Sequence, residues 1–308
     1  MEVTREKLIK GLVFSFVAAI SISLLPILYK LGYRAGMDEM ELLQNRWFFG
    51  AVMLFVYILV TDRHSLKVNG ATLVKTAILG VFFHGVSGIF YVRALRYIPA
   101  STTSLIIYFY PVVVTIYANL YFHMQMSRAL IVSVGLIVFG CSLVFYDAFI
   151  HELNGIGILY AAAAMITYSG YLIVAQLFLR GEKPLIMTFY MALFTGVTFS
   201  FFHSPVRILE LQLNQLLIGL FLGLIPTAFA YAFNFRAIRE VGSGYVSVFS
   251  TFELVMVVFL SFLVLGESIF IIQIVGMVLI MNGIVLANAK IFRKGQFPPT
   301  STDFKSVP

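Results

Sequence analysis

The sequence predicts an all-α integral membrane protein, with ten transmembrane helices arranged as two inverted five-helix repeats. Three observations carry this prediction. Of 308 residues, 60% are hydrophobic and only 11% are charged, whereas ordinary globular domains are about half apolar and a quarter charged. The apolar residues fall into ten runs, each able to cross roughly 30 Å of hydrocarbon. The chain also resembles itself at a shift of 143 residues.

The composition excludes a disordered chain, a nucleic-acid module and almost every soluble enzyme class, because a soluble core cannot bury so much apolar surface. The net charge of +7 does not form a patch. Basic residues punctuate the apolar runs in ones and twos, as membrane loops do. No nucleic-acid partner is expected. The single cysteine, Cys141, lies in an apolar stretch and packs as a small hydrophobe. No cofactor, metal or redox role is suggested.

The ten runs are Gly11–Leu31, Leu42–Thr61, Leu73–Val92, Ser101–Phe122, Ala129–Tyr146, Gly155–Leu179, Pro184–Phe202, Leu213–Phe235, Gly242–Leu265 and Ile269–Ala289. The first follows Arg5, Lys7 and Lys10 but is too long for a signal h-region and precedes no convincing cleavage site, so it reads as a retained helix. An even number of spans puts both termini on one side. With termini inside, 15 basic residues lie inside and 6 outside, the latter being Lys30, Arg34, Arg46, Arg93, Arg96 and Arg207. The positive-inside rule therefore sets both termini in the cytoplasm of a multi-pass protein of the cell (inner) membrane. Connections are short, and the stretch 291–308, with Pro298 and Pro299, reads as a disordered cytoplasmic tail.

Shifted by 143, Phe90–Leu143 aligns without a gap to Phe233–Leu286, with 15 identities in 54 positions. Leu, Ile and Val pairs follow from composition. The tetrads Arg93-Ala94-Leu95-Arg96 and Arg236-Ala237-Ile238-Arg239, at equivalent run ends, do not. A repeat of five helices is odd, so its copies insert in opposite orientations, the design that gives alternating access around a midplane site.

These residues resemble the drug/metabolite transporter superfamily, EamA-type. The likeness covers repeats at 8–146 and 155–290. It rests on Ala94-Leu95 through Pro99-Ala100-Ser101 and Tyr110-Pro111 in the first copy. In the second it rests on Ala237-Ile238 through Gly242-Ser243-Gly244, Phe252-Glu253, Leu265-Gly266-Glu267 and the span from Gly276 to Gly283. Lys30 and Arg46 match positions where the family tends to carry basic residues. The chain departs from the pattern at His123-Met124, where Gly-Glu is expected, and at Leu254, where proline is expected.

The resemblance implies a secondary transporter, not an enzyme, that moves a small molecule across a lipid bilayer. An amino acid or related amine-bearing compound, exported, is the first expectation. Exchange or import of a larger, nucleoside-type metabolite and a non-transporting assembly partner are the alternatives. Proton coupling and a monomeric or dimeric state are both left open. An intramembrane enzyme using Glu253 and His84 lacks a second carboxylate, a metal set or a nucleophile pair.

Glu253 is the only acid within any run, and an ionised carboxylate there costs several kcal/mol unless it meets water, a partner or a proton. It therefore reads as a ligand for a substrate amine, a protonation site, or a neutral tie between helices. His84, the one histidine deep in a run, shares a helical face with Ser87 and Tyr91 at +3 and +7. The 143 shift carries His84 onto Thr227 and Tyr91 onto Asn234, beside Tyr231.

Further polar faces join Ser243, Ser250 and Glu253; Ser104, Tyr108, Pro111 and Thr115; and Tyr160, Thr167 and Tyr171. Pro111 removes a backbone donor and can kink its helix. Together these faces predict a substrate cavity of His84, Ser87, Tyr91, Ser104, Tyr108, Thr167, Tyr171, Thr227, Tyr231, Asn234, Ser250 and Glu253. Arg93, Arg96, Arg236 and Arg239 read as snorkelling anchors or as gate closers with Glu240 or Glu267.

Overall fold

The apolar runs become helices, and their polar interruptions become caps and turns. The computed structural model describes residues 5–98, 100–122, 128–146, 154–201, 208, 210–266 and 268–294. Helix α1 has two pieces, Arg5–Ser23 and Leu25–Arg34, and α2 spans Glu39–Asp62. Helix α3 runs as Gly70–Ala77, a π-helical stretch Ile78–Gly85, and Val86–Tyr97. Helix α4 comprises Ala100–Ile107 and Tyr110–Phe122. Then come α5, Arg128–Val144; α6, Gly155–Phe178; and α7, Pro184–Ser200. Helix α8 repeats the plan of α3 as Leu213–Gly223, a π-helical stretch Leu224–Phe229, and Ala230–Val241. Helix α9 comprises Ser243–Ser250, Phe252–Leu260 and a π-helical end at Ser261–Leu265, and α10 spans Ile271–Lys294.

No strand occurs among the described residues. Seven helical stretches are long and apolar enough to cross a membrane, and three more are apolar but shorter, at Arg128–Val144, Pro184–Ser200 and Ile271–Leu286. The ends of the shorter ones adjoin residues outside the described set, among them His123-Met124, Glu267 and the tail beyond 294. Large apolar side chains cover the outside: Phe201 is 85% exposed and Val60 80%. Water does not tolerate such a belt, whereas lipid does.

Helix starts are fixed locally. Asp38 accepts from the Glu41 backbone N–H at 2.8 Å while Glu41 accepts from the Asp38 N–H, a capping box that starts α2. Asn69 and Asn154 accept backbone N–H bonds at the starts of α3 and α6.

The interior breaks have local causes too. Pro111 has no N–H, and α4 is interrupted just before it, where Phe109 and Val112 close tight turns on Ile106 and Phe109. Helix α9 breaks at the equivalent depth, at Thr251, without a proline. There the Thr251 hydroxyl donates to the Val248 carbonyl at 2.6 Å and the backbone again takes tight turns.

The packing follows a two-fold exchange of halves. Helix α1 lies on α8 as α6 lies on α3; α2 lies on α8 as α7 lies on α3; and α4 meets α6 as α9 meets α1. The pairs α2–α7, α4–α9 and α5–α10 join equivalent helices. The close approaches correspond as well. A Cβ on Gly80 of α3 would sit 2.6 Å from the Met191 carbonyl oxygen of α7. One on Gly223 of α8, 143 residues later, would sit 2.5 Å from the Gly50 nitrogen of α2. Glycine is needed where backbones approach so closely.

Candidate functional site

The centre of the fold holds a guanidinium. Arg46 stands seven residues past Glu39 in α2, about 10 Å into the helix at 1.5 Å per residue. It is 7% exposed. Counted by sequence among the outer-end basic residues, Arg46 faces the interior in the structure. Its polar neighbours in sequence, Gln44 and Asn45, are equally buried, as is the whole turn from Leu42 to Trp47, so α2 is enclosed on all sides here.

Helix α8 receives Arg46 through a chain of local causes. Pro226 has no N–H to give to the Leu222 carbonyl, and the Thr227 hydroxyl donates there instead at 2.8 Å. With its proton so used, Thr227 Oγ1 accepts from Arg46 Nε at 3.0 Å. Arg46 Nη2 donates to the Pro226 carbonyl and to the Tyr231 hydroxyl, both at 3.4 Å. The guanidinium also stacks over Trp47 at 4.9 Å and Tyr231 at 5.8 Å, with the Tyr29 hydroxyl beside it. Arg46 forms no ion pair among the described residues.

His84, in the π-helical stretch of α3, enters the same cluster. Its ring lies 4.3 Å from Tyr171, 5.0 Å from Tyr231 and 5.1 Å from Trp47. The Nε2 atom of His84 and the Tyr171 hydroxyl are buried without hydrogen-bond partners. Of the expected site residues, His84, Tyr171, Thr227 and Tyr231 are thus brought together. The sequence reading omitted Arg46, Trp47 and Tyr168 from this group.

Glu253 occupies the other side. It is half-buried in α9, faces the Tyr108 hydroxyl, and lies within electrostatic range of Arg46. Tyr231 and Tyr168 each lie within range of both charges. Tyr91 and Tyr110 also lie within electrostatic range of Glu253, and Ser250 meets the Tyr110 hydroxyl.

The remaining expectations are spread more widely. Ser87 donates to the Ala164 carbonyl at 3.2 Å, joining α3 to α6, and Thr167 bonds back to Ala163 and Ala164 within its own helix. Asn234 is buried with its Oδ1 unpartnered. Ser104 is half-buried on α4, and Pro111 is buried at the interruption of that helix. The face drawn through Ser243, Ser250 and Glu253 is divided by the break at Thr251. Ser243 turns instead to α6, where its hydroxyl and its backbone N–H both meet Gln176 Oε1 at 2.6 Å.

Tyr160 stacks on Tyr97 near the helix ends rather than at the centre. Arg93 is exposed over the Tyr160 ring, half-buried Arg236 stacks over Phe233, and Arg239 is exposed. The Arg96 side chain lies outside the described residues. No group of three or more metal-ligating side chains occurs among the described residues.

The profile of the EamA-like transporter family matches residues 9–146 and 155–289. An uncharacterized transporter of Bacillus subtilis (strain 168), YyaM, is 24% identical over 260 residues, covering 80% of this chain and 83% of that protein. An uncharacterized transporter of Clostridium kluyveri is 24% identical over 299 residues, covering 90% of this chain and 92% of its own. A protein of known crystal structure superposes with a TM-score of 0.77 at 16% identity, covering 92% of this chain and 98% of its own. That last likeness concerns the fold alone.

Proposed function

Because the chain belongs to the EamA-like transporter family and is therefore a multi-pass membrane transporter of a small molecule, we propose that it exports an amine-bearing metabolite, an amino acid or a close relative, by alternating access. In this reading ten helices form two inverted repeats, 8–146 and 155–290, with both termini cytoplasmic. The two-fold exchange in helix packing and the paired breaks in α4 and α9 support the repeat.

One observation carries the functional reading: polar side chains from both halves meet inside the bundle, Arg46 and His84 with Thr227 and Tyr231, and the Glu253 carboxyl faces Tyr108 within electrostatic range of Arg46. A carboxylate at that depth is tolerated when it serves a cation or a proton. Glu253 binds the substrate's ammonium group or takes up a proton in the cycle, facing Tyr108, with Tyr91, Tyr110, Tyr168, Tyr231 and the charge of Arg46 within electrostatic range.

Flux of radiolabelled amino acids into proteoliposomes tests this. Glu253→Gln keeps the shape of a protonated carboxyl but cannot titrate, so flux should fall at least tenfold and lose its pH dependence while the protein still inserts. Wild-type flux at every pH would leave Glu253 as a tie between helices.

A further inference from the structure

Arg46 is a buried cation whose hydrogen-bonding partners among the described residues are neutral. Thr227, Pro226 and Tyr231 supply oxygen acceptors, and Trp47 supplies a ring face, but no carboxylate among the described residues pairs with it. An unpaired charge inside a membrane bundle is costly to keep, and it is tolerated where a ligand completes it. Two further groups near it are unfinished, His84 Nε2 and the Tyr171 hydroxyl, both buried without partners. Trp47 touches both Arg46 and His84, so these groups form one cluster.

We propose that Arg46 is the receptor for a substrate carboxylate, and that the transported compound is a zwitterion whose carboxylate docks on Arg46 while its ammonium faces Glu253. This rests on the transport reading above and sharpens its substrate class. The charge balance selects the class. One cation and one anion, both within electrostatic range of Tyr168 and Tyr231, suit a molecule with one charge of each sign. A phosphate dianion would leave net negative charge beside Glu253. A guanidinium presents paired N–H donors matched to the two oxygens of a carboxylate. The ring faces of Trp47, His84, Tyr171 and Tyr231 give the remainder of the ligand an apolar and aromatic surround.

The alternative is that Arg46 is only a strut between α2 and α8. Trp47 is the single tryptophan in the chain, so its emission reports on this cluster directly. The probes are free amino acids, their methyl esters and their N-acetyl derivatives, titrated against purified protein with Trp47 emission and thermal midpoint as readouts. The free acids should give a saturable change, and the methyl esters, lacking the carboxylate, should bind about 10–100-fold more weakly. N-acetyl derivatives should keep the acid-over-ester preference, since that preference belongs to Arg46 and not to Glu253. In Arg46→Gln the preference should vanish, and in Arg46→Lys it should be partly kept.

Esters that bind as tightly as acids to the wild-type protein overturn the proposal, a comparison that needs no variant. So does a folded Arg46→Gln that retains the preference. If amines without a carboxylate are carried by proteoliposomes and acids are not, this inference fails and the transport reading stands. If no compound of any class is carried, the transport reading fails with it.

Discussion

Gly223→Ala tests whether the contact between α2 and α8 positions Arg46. The new Cβ would lie 2.5 Å from the Gly50 nitrogen, 2.6 Å from Phe49 Cβ and 2.7 Å from the Phe49 carbonyl carbon, and ordinary contact begins at 3.4 Å. Two of those three atoms are backbone and Phe49 Cβ is fixed to it, so no side chain can swing away. The helices must part by the difference, about 0.9 Å. The Arg46 bonds to Pro226 and Tyr231 are already 3.4 Å long and the bond to Thr227 is 3.0 Å, so all three are lost.

Overpacking of this kind costs about 1–3 kcal/mol, and hydrogen bonds to a charged group contribute about 1.5–3 kcal/mol. Against this stands a gain of up to about 1 kcal/mol in helix propensity. With the Arg46 bonds counted as one set, the net loss should be about 1.5–5 kcal/mol, read as a drop of roughly 3–10 °C in thermal midpoint. Trp47 emission followed during thermal unfolding in detergent measures both the midpoint and the local change. Gly135→Ala is the control, because nothing lies within 4 Å of a Cβ there, and it should be neutral or stabilise slightly. A Gly223→Ala protein with the wild-type midpoint and unaltered emission would refute the argument.

Cysteines placed at Ser87 and Tyr108, both half-buried near the centre, should react with small water-soluble thiol reagents, while native Cys141, 1% exposed, stays silent. Two unreactive sites in a transport-competent protein remove these positions from the substrate path. A reporter fused after Lys294 should be active only in the cytoplasm, and activity on the outer side alone would reverse the proposed orientation.

The sequence made the helices legible because apolar runs of this length have few other uses. It concealed the centre of the site. The stretch Gln44-Asn45-Arg46 lies close to the start of α2, where polar residues ordinarily belong to a loop or snorkel to the surface. Only the tertiary structure turns them inward. A tryptophan directly after an arginine was the available signal, since the pair can stack.

On the continuous α6, Tyr171 reaches the central cluster while Tyr160, on the same face, lies near the helix end; in α9 the break at Thr251 separates Glu253 from Ser243. Pro111 announces the interruption of α4. No residue type announces the matching one in α9, because a threonine hydroxyl and two tight turns accomplish it.

The π-helical stretches of α3 and α8 overlap in position but share no residue where they overlap. Val81-Phe82-Phe83-His84-Gly85 and Leu224-Ile225-Pro226-Thr227-Ala228 coincide under the 143 shift without one identity. What the halves have in common there is a count: one residue more than a regular turn would hold. Removing that residue from α8 would restore an ordinary helix and turn everything after it by about 100°. Tyr231 and Asn234 would then swing out of the bundle. Through this stretch the halves agree in helical length and differ in side chains, with a histidine in α3 and a threonine that holds an arginine in α8.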